Sequence, residues 1–517
     1  MKRTTIIYML AMVAVATTLM SCNDWLREEA PSSTKLEDFF TGGQTAEQAV
    51  NACYTPLMWE YNHTYYPEWF VGDVASDDAI KGGEYVLDMA AAYDIENFKT
   101  VASNELLLDF YRAQYQGIAR CNFALTFIPD MAVDEQMDEA TQKRYIAEAK
   151  FLRAYYYFRL VRMFGGVPKV DFIIDSSNEW KQPRATAEQI YELILSDLGA
   201  AEADLMAKSE MAAEDLGRVT KGAAQAMLMK VNLYLHNYDT ARAWGEKIIT
   251  SGEYDLLADY GLNFRVEGEN GAESVFEVQY VEDPTSDFGE GNGFTRGTFT
   301  VILTRSRSAL VNDATEGWGF NKPTQDLYDE YEVDDPRRDM TIISPTDEQI
   351  VNPTMEIHMG CRYLSRKYAH LDSEGKHILL SHKTRAPLNR KEIRYSDVLL
   401  MYAEACIESG KDLDKAKEAI NKVRGRVGLG EVEATRENLR HERRVELAME
   451  GHRWFDLCRW GIAAETMNAY RLKYGENNPN GNTEGSMMEE FIKGKHELMP
   501  IPDEEVRLGD LTQNDGY

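Results

Sequence analysis

The chain lacks the short signatures that mark most enzymes. It has no GxSxG elbow, no HExxH pair, no Walker phosphate loop and no dinucleotide fingerprint. Nine histidines are scattered without ligand spacing, so no metal and no cofactor is expected. Cysteine is scarce, at six in 517 residues. Cys53, Cys121, Cys361, Cys406 and Cys458 form no CxxC and no close pair, and four of them fall in apolar helical patterns. Buried free thiols are expected there, not a disulfide scaffold or a zinc site. Positive charge is also short, with 56 Lys and Arg against 86 Asp and Glu and a net charge of −30. Such a field repels phosphate backbones and excludes nucleic acid as a partner. Beyond Met20 no apolar run approaches the length of a membrane helix. No Pro/Ser-rich linker cuts the chain, so a single domain is expected over residues 37–517, although length alone would allow several.

What is present starts with Lys2 and Arg3, followed by an uncharged apolar stretch from Ile6 to Met20. That is short for a membrane span and right for a signal-peptide core. Leu19-Met20-Ser21-Cys22 resembles the bacterial lipobox. Residues 1–21 are therefore expected to be a lipoprotein signal peptide, Cys22 the acylated anchor, and 22–36 a flexible tether. Asn23, not the Asp that often marks inner-membrane retention, follows the cysteine, and acids lie just downstream at Asp24, Glu28 and Glu29. Acyl chains anchor firmly because each buried methylene contributes about 0.8 kcal/mol. The chain is expected to be tethered to a membrane, not to span it.

Helical periodicity dominates the rest. Ala147, Lys150, Phe151, Ala154, Tyr155 and Phe158 recur at three- and four-residue steps, which predicts a helix over 142–164, stopped by Gly165-Gly166 and Pro168. Thr186, three residues before Gln189, opens a second over 186–205 with a capping-box pattern. Two helix pairs follow, over 219–235 with 238–249 and over 396–408 with 413–427. Each has small residues at one helix (Ala223, Ala224, Ala226; Ala403, Ala405) and an alanine on the next (Ala241; Ala416). These pairs resemble degenerate tetratricopeptide repeats, near 142–250 and 396–427, and predict a mainly α, repeat-like stack. Between them, roughly 253–381 is rich in Gly, Asn, Asp and aromatics, with strand-like stretches at 274–280 and 299–303. A long irregular insertion of this kind is usually where function lies.

An ordered set of segments carries a resemblance to a known family. It runs through Asn51-Ala52-Cys53-Tyr54, Ser76-Asp77-Asp78, Ala119-Arg120-Cys121-Asn122, and Glu148 to Tyr155 ending in Phe164-Gly165-Gly166-Val167-Pro168. It continues through Ile393-Arg394-Tyr395 to Ala405, Ile420 to Arg424, Glu442 to Leu447, Gly451 to Leu457, Pro500-Ile501-Pro502 and Gln513 to Tyr517. With the lipobox ahead of it, this set resembles the SusD/RagB outer-membrane nutrient-binding lipoproteins of Bacteroidota. The resemblance implies a SusD-like helical fold, an outward-facing outer-membrane location, and a SusC-like TonB-dependent transporter as partner. It also implies an oligosaccharide or polysaccharide ligand, or in RagB-like members a peptide, and no catalysis.

Two aromatic clusters are the candidate ligand surface, because flat rings stack on the C–H faces of sugars. One is Trp59, Tyr61, Tyr65, Tyr66 and Trp69, broken by Pro56 and Pro67; the other is Tyr280, Phe288, Phe294, Trp318 and Phe320. Any single one of these rings can equally be core. Gly317 and Gly319 flank Trp318 and would leave its indole exposed. Asp77 and Asp78 are candidates for a sugar hydroxyl or a cation, against a capping role in the loop. Glu442, Glu446 and Glu450 fall at four-residue steps on a charged helix expected over 442–460. A surface glycoside hydrolase would need two carboxylates about 5–10 Å apart across a cleft. Here each acid has an arginine within a helical turn, so a structural ion-pair network is expected. Asp334 to Arg338 reads as a loop that carries its own counter-charges.

Overall fold

The computed structural model describes residues 41–60, 69–175, 180–282, 296–305, 317–346, 361–380, 385–474 and 488–517. Cys22 and the expected signal and tether lie outside these residues. The scaffold helices are α1 (Gly43–Tyr54), α2 (Glu105–Phe127), α3 (Glu139–Phe164), α4 (Ala187–Asp204), α5 (Lys221–Tyr234), α6 (Tyr238–Ser251), α7 (Tyr395–Ser409), α8 (Leu413–Arg426), α9 (Arg436–Leu447), α10 (Arg453–Arg459) and α11 (Ala463–Tyr474). Short strands are β1 (Ala79–Gly82), β2 (Ser274–Val278), β3 (Phe320–Pro323), β4 (Ile342–Ile343), β5 (Leu364–Ser365) and β6 (Arg390–Arg394).

Helix α3 is the axis of the fold. It begins three residues before the expected start because the Asp138 carboxylate accepts from the Thr141 N–H at 2.8 Å. It ends where Gly165 takes φ 71°. Most of its residues are buried, since α1, α2 and α4 pack around it. Helix α4 has the expected capping box, with reciprocal bonds between Thr186 and Gln189. The two helix pairs form as expected: α5 and α6 turn at His236-Asn237, and α7 and α8 turn at Gly410, left-handed at φ 68°. Ala223, Ala224, Ala226, Ala241, Ala403, Ala405 and Ala416 are all fully buried, so these helices do cross closely. Gly245 marks a crossing the sequence reading missed: a Cβ there would fall 2.7 Å from the Tyr402 ring and 2.9 Å from Met229 Sδ.

The insertion is stitched to the scaffold by antiparallel pairing. β2 joins β6, which leads directly into α7, with Ser274 opposite Arg394 and Val278 opposite Arg390. β1 joins β3, with Ala79 opposite Pro323 and Gly82 opposite Phe320. The expected strand over 299–303 is instead a short helix, Thr300–Thr304. The Glu60 carboxylate accepts from the Phe299 and Thr300 N–H groups at 2.6 and 3.0 Å and so caps a helix start. That buried cap outweighs the β-propensity of Phe-Thr-Val-Ile-Leu.

The expected charged helix over 442–460 is also broken. α9 stops at Leu447 and α10 starts at Arg453, with Met449 at φ 64° and Gly451 at φ 79° between them. The turn is held against another backbone: a Cβ on Gly72 would fall 2.0 Å from the Gly451 carbonyl oxygen. Most of the ion pairs cross between elements and do not run along one helix. Glu446 takes Arg337, Arg394 and Arg426; Glu442 takes Arg337 and Arg424; Glu450 takes Arg394 and Lys367. Arg337 does pair with Asp335, as read from sequence, but it opens a short helix and is fully buried against α9. The five described cysteines are free thiols, four of them buried.

Candidate functional site

One buried carboxylate, Glu60, follows Trp59 of the first cluster and bonds Tyr280 of the second. Pro56 opens a 3₁₀ turn, Thr55–Met58, which delivers Trp59 and Glu60 from the end of α1 into the interior. The Trp59 indole is buried, with the Arg120 guanidinium 4.7 Å from its ring centre. Glu60 is 4% exposed. Its Oε1 accepts from the Tyr280 hydroxyl at 2.7 Å and from Arg390 Nη1 at 3.2 Å. Its Oε2 accepts from the Thr298 hydroxyl at 2.8 Å as well as from the two backbone N–H groups of the short helix. One side chain thus ties the beginning of the first cluster to both edges of the stretch that holds Phe288 and Phe294.

The contacts continue to the surface. Phe299 meets Trp318 edge-on with ring centres 5.1 Å apart, and the Trp318 backbone N–H donates to the Ile302 carbonyl at 2.8 Å. The flanking glycines serve close backbone approach, not exposure. A Cβ on Gly317 would fall 2.2 Å from the Arg305 carbonyl oxygen, and the Gly319 carbonyl accepts from the Gly83 N–H at 2.8 Å. The Trp318 indole is half-buried against the core.

Gly83 begins a loop that sequence reasoning missed. Lys81, buried beneath it, donates from Nζ to the carbonyls of Tyr85 and Asp88 at 3.0 and 2.6 Å. Its ammonium lies 5.6 Å from the Phe320 ring centre, and burial pulls its pKa down to about 8. The Asp88 carboxylate accepts from the Glu84 N–H at 2.7 Å. So braced, the loop presents Tyr85 at 55%, Val86 at 38% and Leu87 at 74% exposure. The signal in the sequence was a Gly82-Gly83 step followed by three bulky residues, with only one aromatic among them.

The remaining candidates divide. Tyr280, Phe320 and Trp59 are buried and hold the rim from beneath; none offers a ring face to solvent. Tyr61, Tyr65, Tyr66, Phe288 and Phe294 lie outside the described residues, as does the side chain of Trp69, which opens the turn Trp69–Gly72. Asp77 and Asp78 are buried below β1 and β3 and do not face a ligand surface. Arg453 holds Asp77 with two bonds of 2.8 Å, and Arg444 holds Asp78 at 2.8 Å. Burial alone would raise Asp77, but Arg444 and Arg453 overcome it and keep that carboxyl well below the usual range. Their backbone carbonyls dock β3, accepting from the Thr324 hydroxyl and N–H at 2.6 and 2.9 Å. Glu442 and Glu446 of α9 are likewise interior and ion-paired, which is no geometry for hydrolysis across a cleft.

A separate cleft of about 270 Å³ lies where α1 faces residues 216–218, lined by Tyr54, Leu57, Met58, Leu216, Arg218 and Gln279. Its polar groups already serve the fold: Arg218 pairs with Glu148 and Asp215, and Gln279 exchanges bonds with Asn270.

The chain is similar to known proteins over most of its length. Residues 24–233 match a family model described as starch-binding associating with outer membrane, and residues 361–517 match the SusD family model. Neither match extends over 234–360, the stretch that carries Tyr280, the short helix and Trp318. A SusD-like protein of Bacteroides ovatus is 25% identical over 87% of this chain and 82% of its own length. The starch-binding protein SusD of Bacteroides thetaiotaomicron is 25% identical over 74% of each. Among solved structures, a laminarin-binding SusD-like protein superposes with a TM-score of 0.78 at 28% identity, over 92% of this chain and all of the other. Surface glycan-binding protein A of Bacteroides thetaiotaomicron, in complex with laminarihexaose, gives 0.77 at 27% over the same shares. Both ends of the sequence and the whole helical scaffold therefore agree, and the chain belongs to the SusD-like family.

Proposed function

We propose that this chain is a non-catalytic, cell-surface glycan-binding lipoprotein. It is held in the outer membrane through Cys22 and captures oligosaccharide or polysaccharide for a SusC-like TonB-dependent transporter. The observation that carries this reading is the likeness, over 92% of the chain, to a glycan-binding protein solved with laminarihexaose. The rim supports it: the exposed Tyr85 and the half-buried Trp318 stand on segments joined by the Gly83–Gly319 backbone bond, and aromatic rings held on a braced backbone are what sugar rings stack on. The strongly acidic chain suits a neutral ligand better than a polyanionic one.

Titration calorimetry against laminarin, laminarihexaose, starch oligosaccharides and mixed peptides tests the ligand class. Binding to a neutral glycan is expected, and binding to peptides alone would sink the reading. Tyr85→Ala and Trp318→Ala should each weaken glycan binding by about tenfold, the equivalent of one lost stacking contact of about 1.4 kcal/mol. Release of reducing ends from a bound glycan would overturn the non-catalytic assignment. Cys22→Ala should move the protein from the membrane to the soluble fraction, and co-purification with a barrel transporter from native membranes tests the partner.

A further inference from the structure

A second feature, independent of the ligand rim, lies where α1 crosses α2. Cys53 and Cys121 come from these two helices, and both thiols are fully buried. They meet beside one ring. The Tyr156 hydroxyl donates to the Cys53 carbonyl at 2.7 Å, and a Cβ on Gly117 would fall 2.5 Å from the same ring. Gly117 stands one helical turn before Cys121 on α2, so the glycine lets α2 sink onto Tyr156 and carries Cys121 down to Cys53. Burial raises the Cys121 thiol well above its usual range, and the neighbouring Cys53 thiol raises it further. Cys53 now donates from Sγ to the Ala49 carbonyl at 3.2 Å. Turning away from that weak bond is a rotamer change for one side chain. Cys361, Cys406 and Cys458 have no such neighbour among the thiols of the described residues.

We infer that Cys53 and Cys121 are a dithiol that closes to a disulfide under oxidising conditions and clamps α1 to α2. Two S–H bonds break and one S–S bond forms. The two electrons and two protons pass to a disulfide oxidant, either oxidised glutathione, which becomes two glutathione thiols, or the active-site disulfide of a thiol oxidase, which becomes a dithiol. Because both sulfurs are buried in the folded chain, closure takes place while the helices dock. The clamp fixes the helix whose end delivers Trp59 and Glu60, and it closes a long loop, the case in which cross-linking restricts the unfolded chain most.

The chain is unfolded in a reductant, refolded with and without a glutathione redox pair, quenched in acid, alkylated in denaturant and mapped by mass spectrometry. A Cys53–Cys121 linked peptide is expected in the oxidised sample only, with Cys361, Cys406 and Cys458 alkylated in both. The oxidised form should melt several degrees higher than the reduced one, and Cys121→Ala should abolish that difference. Alkylation of both Cys53 and Cys121 in the oxidised sample, or pairing of either with another partner, would overturn the inference. If refolding yields are low, the same map of the chain exported to a bacterial periplasm containing a thiol oxidase gives the same two outcomes.

Discussion

Two buried carboxylates organise this molecule in opposite ways. Glu446 on α9 is surrounded by charge: Arg337, Arg394 and Arg426 all reach it, and Glu442, Glu450 and Lys367 complete the group. Glu60 is surrounded mostly by neutral donors, namely a phenol, a threonine hydroxyl and two backbone N–H groups, with a single arginine. The first arrangement compensates charge inside a scaffold and ties α9 to the separate segments that carry Arg337, Arg394 and Arg426. The second fixes backbone, because each donor belongs to a segment that borders the candidate ligand rim. Reading carboxylates by number would favour α9 as the functional place; reading them by what they hold favours Glu60.

The difference is tested most severely at Glu446. Burial would raise its pKa, but Arg426, Arg394 and Arg337 hold it well below the usual range. Glu446→Ala strands those guanidiniums in the interior, and urea unfolding should register a loss of about 3–5 kcal/mol. Below the melt of the variant, glycan affinity should stay within about twofold of the parent, since a change that small is under 0.5 kcal/mol. A stability change near zero would mean that the arginines find other acceptors and that the hub is not structural in this sense.

Glu60→Gln should give the converse pattern. The amide keeps the shape and one acceptor but turns a donor toward groups that donate. The loss in stability should be about 1–3 kcal/mol, the range for an unsatisfied buried partner. Glycan affinity should fall at least tenfold, because Tyr280 and the start of the short helix lose their common anchor. Equal losses of affinity in the two variants would erase the distinction between hub and rim.

Much of the hub and scaffold was legible in sequence, and less of the rim, for a physical reason. Periodicity records which face of a helix is buried, so α3 to α8 could be placed within a few residues, and the alanines at their crossings could be named. Ion pairing on α9 could also be read. The partners could not, since Arg337, Arg394 and Arg426 arrive from separate elements and leave no local spacing. The rim depends wholly on such distant contacts. Phe299 to Leu303 has strand-like composition and becomes helix because Glu60 caps it from far away in the chain. Tyr85 escaped notice because its exposure rests on Lys81 beneath the loop, and Trp59, Tyr280 and Phe320 looked like ligand surface because burial by tertiary packing has no signature in an irregular insertion.

Asp73 joins the two regions and gives the smallest expected effect. Its Oδ1 accepts from the Gly451 N–H of the α9–α10 turn at 2.9 Å, and its Oδ2 accepts from Asn321 Nδ2 on β3 at 3.2 Å. Burial first, and the nearby Asp78 second, push its carboxyl up from 3.8 to about 8. A pKa raised on folding stabilises fully below the unfolded value and loses that stabilisation as pH rises through the folded one. Ionised Asp73 is therefore a liability that grows between pH 4 and pH 8. Asp73→Asn removes the charge and keeps an acceptor for Gly451, while Asn321 Oδ1, buried without a hydrogen bond, can take the new amide donor once its own amide turns. The variant should gain on the parent by about 1–2 kcal/mol in urea melts on going from pH 4.5 to pH 8.5, a fraction of the full linkage because the site can relax. A difference that stays flat across that range would show that Asp73 is already ionised at acid pH. The join between hub and rim would then be an ordinary charged contact.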